Sequence, residues 1–435
     1  MNQRSTILMV TAFLVASAGA LVFLLGGGNG SEVGADIRCA GDAAASSGVR
    51  SDDVRPDVDL PDNPLEAYRG ELLDLAFRAA SKFPLHPHVK NRSRNQAEVV
   101  DACLRLGQLR RALACIPEIA DWRRGYAYAD LAFLCAGAKR TDDVETLLDF
   151  AEASANQGDV GQEWRKGRIL ARMAQVLFLL GRAAEADALQ NTVADPSETG
   201  RVDLVKAMEL DPAELARRIE ALDAVVATGD HDQIGNALDA YARLFDRFYD
   251  DVERRALIED RIEAAFKKQN RISGFESRLE LAGICLQHDD GLKARKLAIA
   301  AWEVKNQARW APEDDVALSA RLATLLFQAG DEETARREVE AALALFDRNR
   351  EKIIDIYRAG PLRALAEANH AIGDRAASVE LYWRAIEEGI HNPNSRPRAD
   401  DLVDTCVSMA VHGVEPDARL MERLVRICDE LGEPW

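Results

Sequence analysis

The chain has 435 residues, of which 47% are hydrophobic and only 6% aromatic, and it carries a net charge of −18. That length is enough to bury a large core, and a composition led by Ala, Leu, Glu and Arg favours helices over sheets. The acidic balance excludes a general nucleic-acid binder, because phosphate affinity rests on clustered Lys and Arg, whereas here the charges are interleaved as on a solvated surface.

In chain order, the first element is Ile7 to Leu25, a 19-residue stretch without a charge. At about 1.5 Å per residue it nearly spans the ~30 Å hydrocarbon core of a bilayer. Arg4 precedes it and Glu32 is the first charge after it. The positive-inside bias therefore predicts a single signal-anchor helix over residues 1–25, with the rest of the chain outside the cytoplasm, periplasmic or at the cell surface. The alternative is a secreted protein cleaved at the small-residue sites Ala16-Ser17-Ala18 or Ala18-Gly19-Ala20, which would leave an apolar run at the new terminus. Residues 26–63 are rich in Gly, Ser, Asp and Pro and predict a flexible spacer.

From residue 64 to 435 the pattern is helix after helix with short polar turns. Asp121–Ala132 and Glu163–Ala174 are near copies that align Trp122 with Trp164. A second marker is an apolar-plus-small pair about seven residues before a turn, with a small residue five after it. Val99-Val100, Gly107 and Ala112 carry it, as do Met173-Ala174, Gly181 and Ala186. Leu281-Ala282, Asp289 and Ala294, then Leu322-Ala323, Gly330 and Ala335, then Leu365-Ala366, Gly373 and Ser378 repeat it. Small residues let two helices approach, and Gly ends the first in a left-handed cap. Recurrence at about 42 residues predicts an all-α, right-handed solenoid of eight or nine antiparallel hairpins, with the period lost over residues 190–275.

This spacing of small residues around a turn glycine resembles the tetratricopeptide repeat over most of residues 92–432. The units are longer than that family's usual repeat of about 34 residues, and most consensus aromatics are missing. The layout is similar to membrane-anchored periplasmic tetratricopeptide adaptors. The resemblance implies a scaffold that offers a concave surface to a protein or peptide partner, and it implies no cofactor.

No P-loop, dinucleotide fingerprint, nucleophile elbow or H-E-x-x-H motif is present, so the chain is not expected to be an enzyme. His86 and His88 are the only close histidine pair and lack a third ligand nearby, so no metal site is expected. Asp289-Asp290 and Asp400-Asp401 read as helix-capping carboxylates. The seven cysteines are dispersed and read as buried thiols, with Cys103–Cys115 the one bridge to weigh if the domain is exported. The candidate partner-binding residues are Trp122, Arg123 and Arg124 with Trp164, Arg165 and Lys166, since Arg beside Trp is enriched at interaction hot spots and suits acidic or carboxylate-terminated peptides. Against this stands a purely structural role in which the tryptophans staple one hairpin to the next. Two other functions compete with the scaffold: an enzyme or ligand-binding protein with its pocket in residues 190–275, and a self-associating envelope protein.

Overall fold

A sequence of good helix formers interrupted by glycine and aspartate condenses into short helices joined by tight turns. The computed structural model of the protein describes residues 56–157, 163–195, 198, 199, 202, 205, 206, 211–268 and 271–435. Among these residues there are 18 α-helices and no strand. They are α1 (Ala67–Ser81), α2 (Leu85–Arg105), α3 (Leu109–Cys115), α4 (Arg123–Gly137), α5 (Thr141–Asn156), α6 (Glu163–Leu179) and α7 (Ala183–Gln190). There follow α8 (Leu215–Thr228), α9 (His231–Arg247), α10 (Val252–Phe266), α11 (Arg271–Gln287), α12 (Gly291–Asn306), α13 (Pro312–Gln328) and α14 (Glu332–Asn349). The last four are α15 (Ala359–Ala371), α16 (Arg375–Gly389), α17 (Ser395–His412) and α18 (Ala418–Glu430). The chain is thus a helical-repeat array. The anchor expected at residues 1–25 lies outside the described residues, among which no helix is long and apolar enough to cross a membrane.

The hairpin turns follow the expected chemistry. Gly107, Gly181, Gly330 and Gly373 all have φ between 67° and 87°, and Asp289 stands at 57°. At each turn the next residue's amide bonds the carbonyl five residues back, as in Gln108 N to Cys103 O at 2.8 Å and Asp374 N to Asn369 O at 2.8 Å. This satisfies the carbonyls that a helix end leaves orphaned. The small residues five positions on, Ala112, Ala186, Ala294, Ala335 and Ser378, are all fully buried where the second helix leans on the first. Asp290, Asp331 and Asp374 then cap the second helices by accepting from Lys293, Thr334 and Ala377 amides. The capping role expected of Asp289-Asp290 therefore falls on Asp290, with Asp289 as the left-handed residue.

Two turns escaped the pattern. Lys139 joins α4 to α5 in the left-handed region, and Gly413 does so between α17 and α18. Where the period was expected to fail, over 190–275, the described residues are still helical. The α9–α10 joint there is made by Asp251, which caps α10 through the Arg254 amide, and it has no left-handed residue to betray it in sequence.

The first helices of successive hairpins pack side by side, in the spatial order α9, α11, α13, α15, α17, α2, α4, α6. The two chain-terminal hairpins therefore meet in the interior of the array. α17 packs more extensively along α1 than along its own hairpin partner α18, and it also touches α2. Tyr68 Oη donates to Gly413 O at 3.0 Å, Arg69 donates to Ala410 O and Val411 O at 2.6 and 3.1 Å, and Lys82 Nζ donates to Cys428 O at 2.6 Å. Phe83 packs on Trp435 with ring centroids 4.9 Å apart, so the last residue seals this junction as its apolar character suggests.

Asp400-Asp401, expected to cap a helix start, instead lie inside α17, which begins at Ser395. Asp400 accepts from Asn95 at 2.7 Å and pairs with Arg94 at 3.1 Å across the junction. Arg363 of α15 pairs with Asp401 at 2.9 Å and with Asp404 at 2.5 Å. Glu98 of α2 is buried close to Asp404, and both burial and that neighbouring carboxylate raise its carboxyl pKa. Residues 56–63, assigned to the spacer from composition, lie against the turns at Gly107 and Arg140.

Two predictions follow from the turns and the junction. Lys139→Gly relieves a left-handed lysine and is expected to raise stability by about 1 kcal/mol, read as a higher urea midpoint, whereas Gly330→Ala lowers it by a similar amount. Buried carboxyls on α2 and α17 contribute to the pH dependence. Burial raises Glu98 well above its ordinary value, raises Asp101 to about 7 and Asp401 to about 6, and raises Asp400, with Arg363, Arg94 and Arg105 opposing these shifts. Groups whose folded pKa is raised hold protons that the unfolded chain releases. Stability is therefore lost as pH climbs from the ordinary carboxylate range through these values. Thermal melting is expected several degrees higher at pH 5 than at pH 8, and Glu98→Gln should narrow the gap. A higher melting temperature at pH 8 would contradict this account.

Candidate functional site

The paired Trp-Arg segments sit at the N-terminal ends of α4 and α6, and the fold brings them together. Trp122 meets Trp164 edge to face at 5.5 Å, and Trp122 also contacts Tyr126 at 6.3 Å. Arg123 stacks on Trp122 at 5.0 Å, Arg165 on Trp164 at 5.3 Å, and Arg168 approaches both Trp122 and Tyr126. The tryptophans do link neighbouring hairpins, as a stapling role requires. Trp164 nevertheless remains 45% exposed, far more than a purely structural staple needs.

Beside this cluster opens a cavity of about 440 Å³. Its walls are Lys90 from α2, Trp122 and Arg124 from the start of α4, Ser154 and Gln157 from the end of α5, and Arg165, Lys166 and Ile169 from α6. Of the six residues nominated from sequence, Trp122, Arg124, Arg165 and Lys166 line it. Trp164 stands alongside on Trp122. Arg123 does not take part, because it is turned onto Asp121, which also accepts from the Arg123 amide at 3.0 Å. Asp121 is the one carboxylate among the described residues of the wall, and that pairing occupies it.

Two of the other cations in the wall donate to neutral groups. Arg124 donates to Gln157 Oε1 at 3.0 Å and Lys166 to Asn156 Oδ1 at 3.1 Å, while Arg165 Nε is buried without a hydrogen-bond partner. Elsewhere arginines commonly meet carboxylates from a neighbouring repeat: Arg172 with Asp130, Arg243 with Glu280, Arg350 with Glu388 and Arg423 with Glu387. Arg124 and Lys166 thus bring positive charge to the cavity on neutral partners among the described residues. The start of two helices adds the favourable end of their dipoles. Such a site holds carboxylates through charge-assisted hydrogen bonds and apolar or aromatic neighbours against the indoles.

Sequence reasoning missed Lys90 and Gln157, which come from other helices and carry no repeat signature. It also missed a third copy of the local pattern. Trp122-Arg123-Arg124-Gly125 and Trp164-Arg165-Lys166-Gly167 are matched by Tyr357-Arg358-Ala359-Gly360 at the start of α15. There Tyr357, Ile354 and Ile356 are exposed, and Arg358 is spent on Ile353 O and Glu388. The glycine has a physical reason in the first copy. A Cβ at Gly125 would stand 2.7 Å from Ser154 Cβ and 2.9 Å from Ile169 Cδ1.

Other reactive groupings have structural explanations. His288 Nε2 lies 2.8 Å from Asp246 Oδ1, three residues from Cys285, in an arrangement reminiscent of an activated thiol. Cys285 is fully buried, however, and burial raises its pKa, the reverse of what a nucleophilic thiolate requires. Tyr249 stacks on His288 at 4.0 Å and donates to Asp290 at 2.9 Å, so the group braces α9 against the α11–α12 turn. His86 and His88 fall at the irregular start of α2. Among the described residues no three His, Cys, Asp or Glu side chains are grouped to hold a metal.

No protein-family model and no curated protein matches the chain. Among solved structures it is similar to a circular tandem repeat protein with novel repeat topology and enhanced subunit contact surfaces, at 16% identity and a TM-score of 0.27, over 83% of this chain and 94% of that one. It is also similar to Ton1535 from Thermococcus onnurineus NA1, at 16% identity and a TM-score of 0.23, over 78% of this chain and 99% of that one.

The close fit at Gly125 yields a paired prediction. Gly125→Ala is expected to destabilise by about 1–3 kcal/mol as α4 is pushed from α5 and α6. Gly137→Ala, with nothing within 4 Å of its Cβ position, should stabilise by a few tenths to about 1 kcal/mol. Chemical denaturation of both variants separates the local fit at the cavity from a general helix-propensity effect.

Proposed function

We propose that the protein is a tethered, extracytoplasmic protein–protein interaction scaffold, a tetratricopeptide-like right-handed hairpin array that captures an acidic peptide segment in the cavity between α4 and α6. The carrying observation is electrostatic. In a chain of net charge −18, Arg124, Arg165 and Lys166 converge on one cavity, where Arg124 and Lys166 each donate to a side-chain amide oxygen. The Trp122–Trp164 pair beside them supplies rigid aromatic contact area of the kind that anchors interfaces. The uncharged stretch Ile7–Leu25 supports a membrane tether with the array outside the cytoplasm.

The test is a binding titration with fluorescein-labelled hexapeptides, rich either in Asp and Glu or in Lys, against the full-length chain in detergent. Acidic peptides are expected to bind, with affinity falling as salt is raised. The Arg124→Glu/Arg165→Glu/Lys166→Glu variant should lose at least about tenfold in affinity, since each charge-assisted hydrogen bond contributes about 1.5–3 kcal/mol. Its melting should change little, because exposed charge substitutions typically stay within about ±0.5 kcal/mol each. Equal binding of acidic and basic peptides, or full binding by the triple variant, would refute the assignment.

A further inference from the structure

The second notable surface lies at the opposite end of the same helices. α4 is 15 residues long, about 22 Å, with the cavity at its start and the Lys139 turn at its end. Across the turns at that end runs residues 56–63, Pro-Asp-Val-Asp-Leu-Pro-Asp-Asn, as an extended strap. Its alternation is that of a strand: Pro56 and Leu60 are buried and Val58 is packed on the core, while Asp57 and Asp59 face solvent.

The host side is built from main chain and arginine. Asn63 N donates to Gly107 O at 2.9 Å within an isolated antiparallel bridge between Asp62 and Gln108, and the Gln108 side chain adds a bond from Nε2 to Asn63 O at 2.7 Å. The Arg110 amide donates to Asp62 Oδ1 at 2.8 Å, its Nε donates to Leu60 O at 3.2 Å, and its guanidinium pairs with Asp59 at 3.3 Å. Arg140 of the next hairpin donates to Asp59 O at 2.7 Å. Leu60, 1% exposed, fills the apolar hole between the two turns.

This is a peptide-recognition site by every component: main-chain pairing for register, one aliphatic anchor, and arginines reading carbonyls and carboxylates. Its occupant happens to belong to the same chain. It is held by one buried leucine, one proline and a few hydrogen bonds, with the Asp59 carboxylate almost fully solvated. We propose that the turn end of the array, at Gly107, Arg110 and Arg140, is a second docking groove for extended segments in which aspartates flank a buried leucine, and that residues 56–63 occupy it as an exchangeable strap. A partner carrying the same alternation displaces the strap. This groove is separate from the cavity at α4 and α6, so the two assignments stand or fall independently.

The experiment uses the full-length chain and a fluorescein-labelled peptide with the sequence of residues 56–63, followed by anisotropy. The unaltered chain, whose groove is occupied, is expected to bind weakly. Leu60→Asp and, separately, Asp59→Ala/Asp62→Ala loosen the strap and should bind the peptide at least about tenfold more tightly. Adding Arg110→Glu to either variant should abolish that gain, and a peptide with aspartate at the leucine position should not bind any of them. If Leu60→Asp impairs folding, the Asp59→Ala/Asp62→Ala variant alone carries the test. Binding that is no tighter in the loosened variants, or that ignores Arg110→Glu, overturns the proposal.

Discussion

An α-helix leaves its last four carbonyls without donors, and at α17 and α18 those donors come from the far end of the chain. Tyr68 and Arg69 of α1 reach Gly413, Ala410 and Val411, and Lys82 reaches Cys428 and Asp429. Cationic side chains at helix C-termini satisfy both the orphan carbonyls and the negative end of the dipole. Without α1 the last two helices would keep bare ends, and α17 would expose the apolar side it now lays along α1. The junction is thus where an open-ended row of hairpins becomes a structure that closes on its own termini. The acidic residues of α17 are placed there because Arg363, Arg94 and Asn95 converge on them from two neighbouring helices.

The same economy of charge explains why the cavity between α4 and α6 stands out. Adjacent first helices are laced by ion pairs close to one repeat apart, such as Arg172 with Asp130 and Arg363 with Asp404. Arg172 is fully enclosed, stacked on Phe133 at 3.8 Å, and its pairing is the condition for its burial. At the N-terminal ends of α4 and α6, about two turns away from the Arg172–Asp130 pair, the partners of Arg124 and Lys166 are instead amides, and Asp121 is bound by Arg123. Half-buried cations held only by neutral partners gain a stronger, charge-assisted hydrogen bond when a carboxylate arrives.

The sequence was legible where physics acts locally. A left-handed turn selects glycine, and the residue that must let two helices touch is small, so five turns and their buried small residues could be located from spacing alone. Lys139 was not, because lysine gives no sign of adopting φ 60°, and the α9–α10 joint was not, because it has no left-handed residue at all. The Trp-Arg pair was visible through repetition, while its third copy was disguised by tyrosine at 357. The junction was invisible. Its contacts join residues more than 300 positions apart, and Asp400 and Asp401 were mistaken for caps since nothing in the sequence marks Ser395 as the true helix start.

Linear helical solenoids can lengthen or shorten by whole units, because each repeat contacts only its neighbours and a new one simply moves the end outward. Here that freedom is limited. Inserting or deleting one hairpin would rotate α17 away from α1, and Arg69, Lys82 and Phe83 would no longer face Ala410, Cys428 and Trp435. The α17–α1 junction therefore constrains any change in the number of repeats, since those contacts must be kept as the row grows or shrinks.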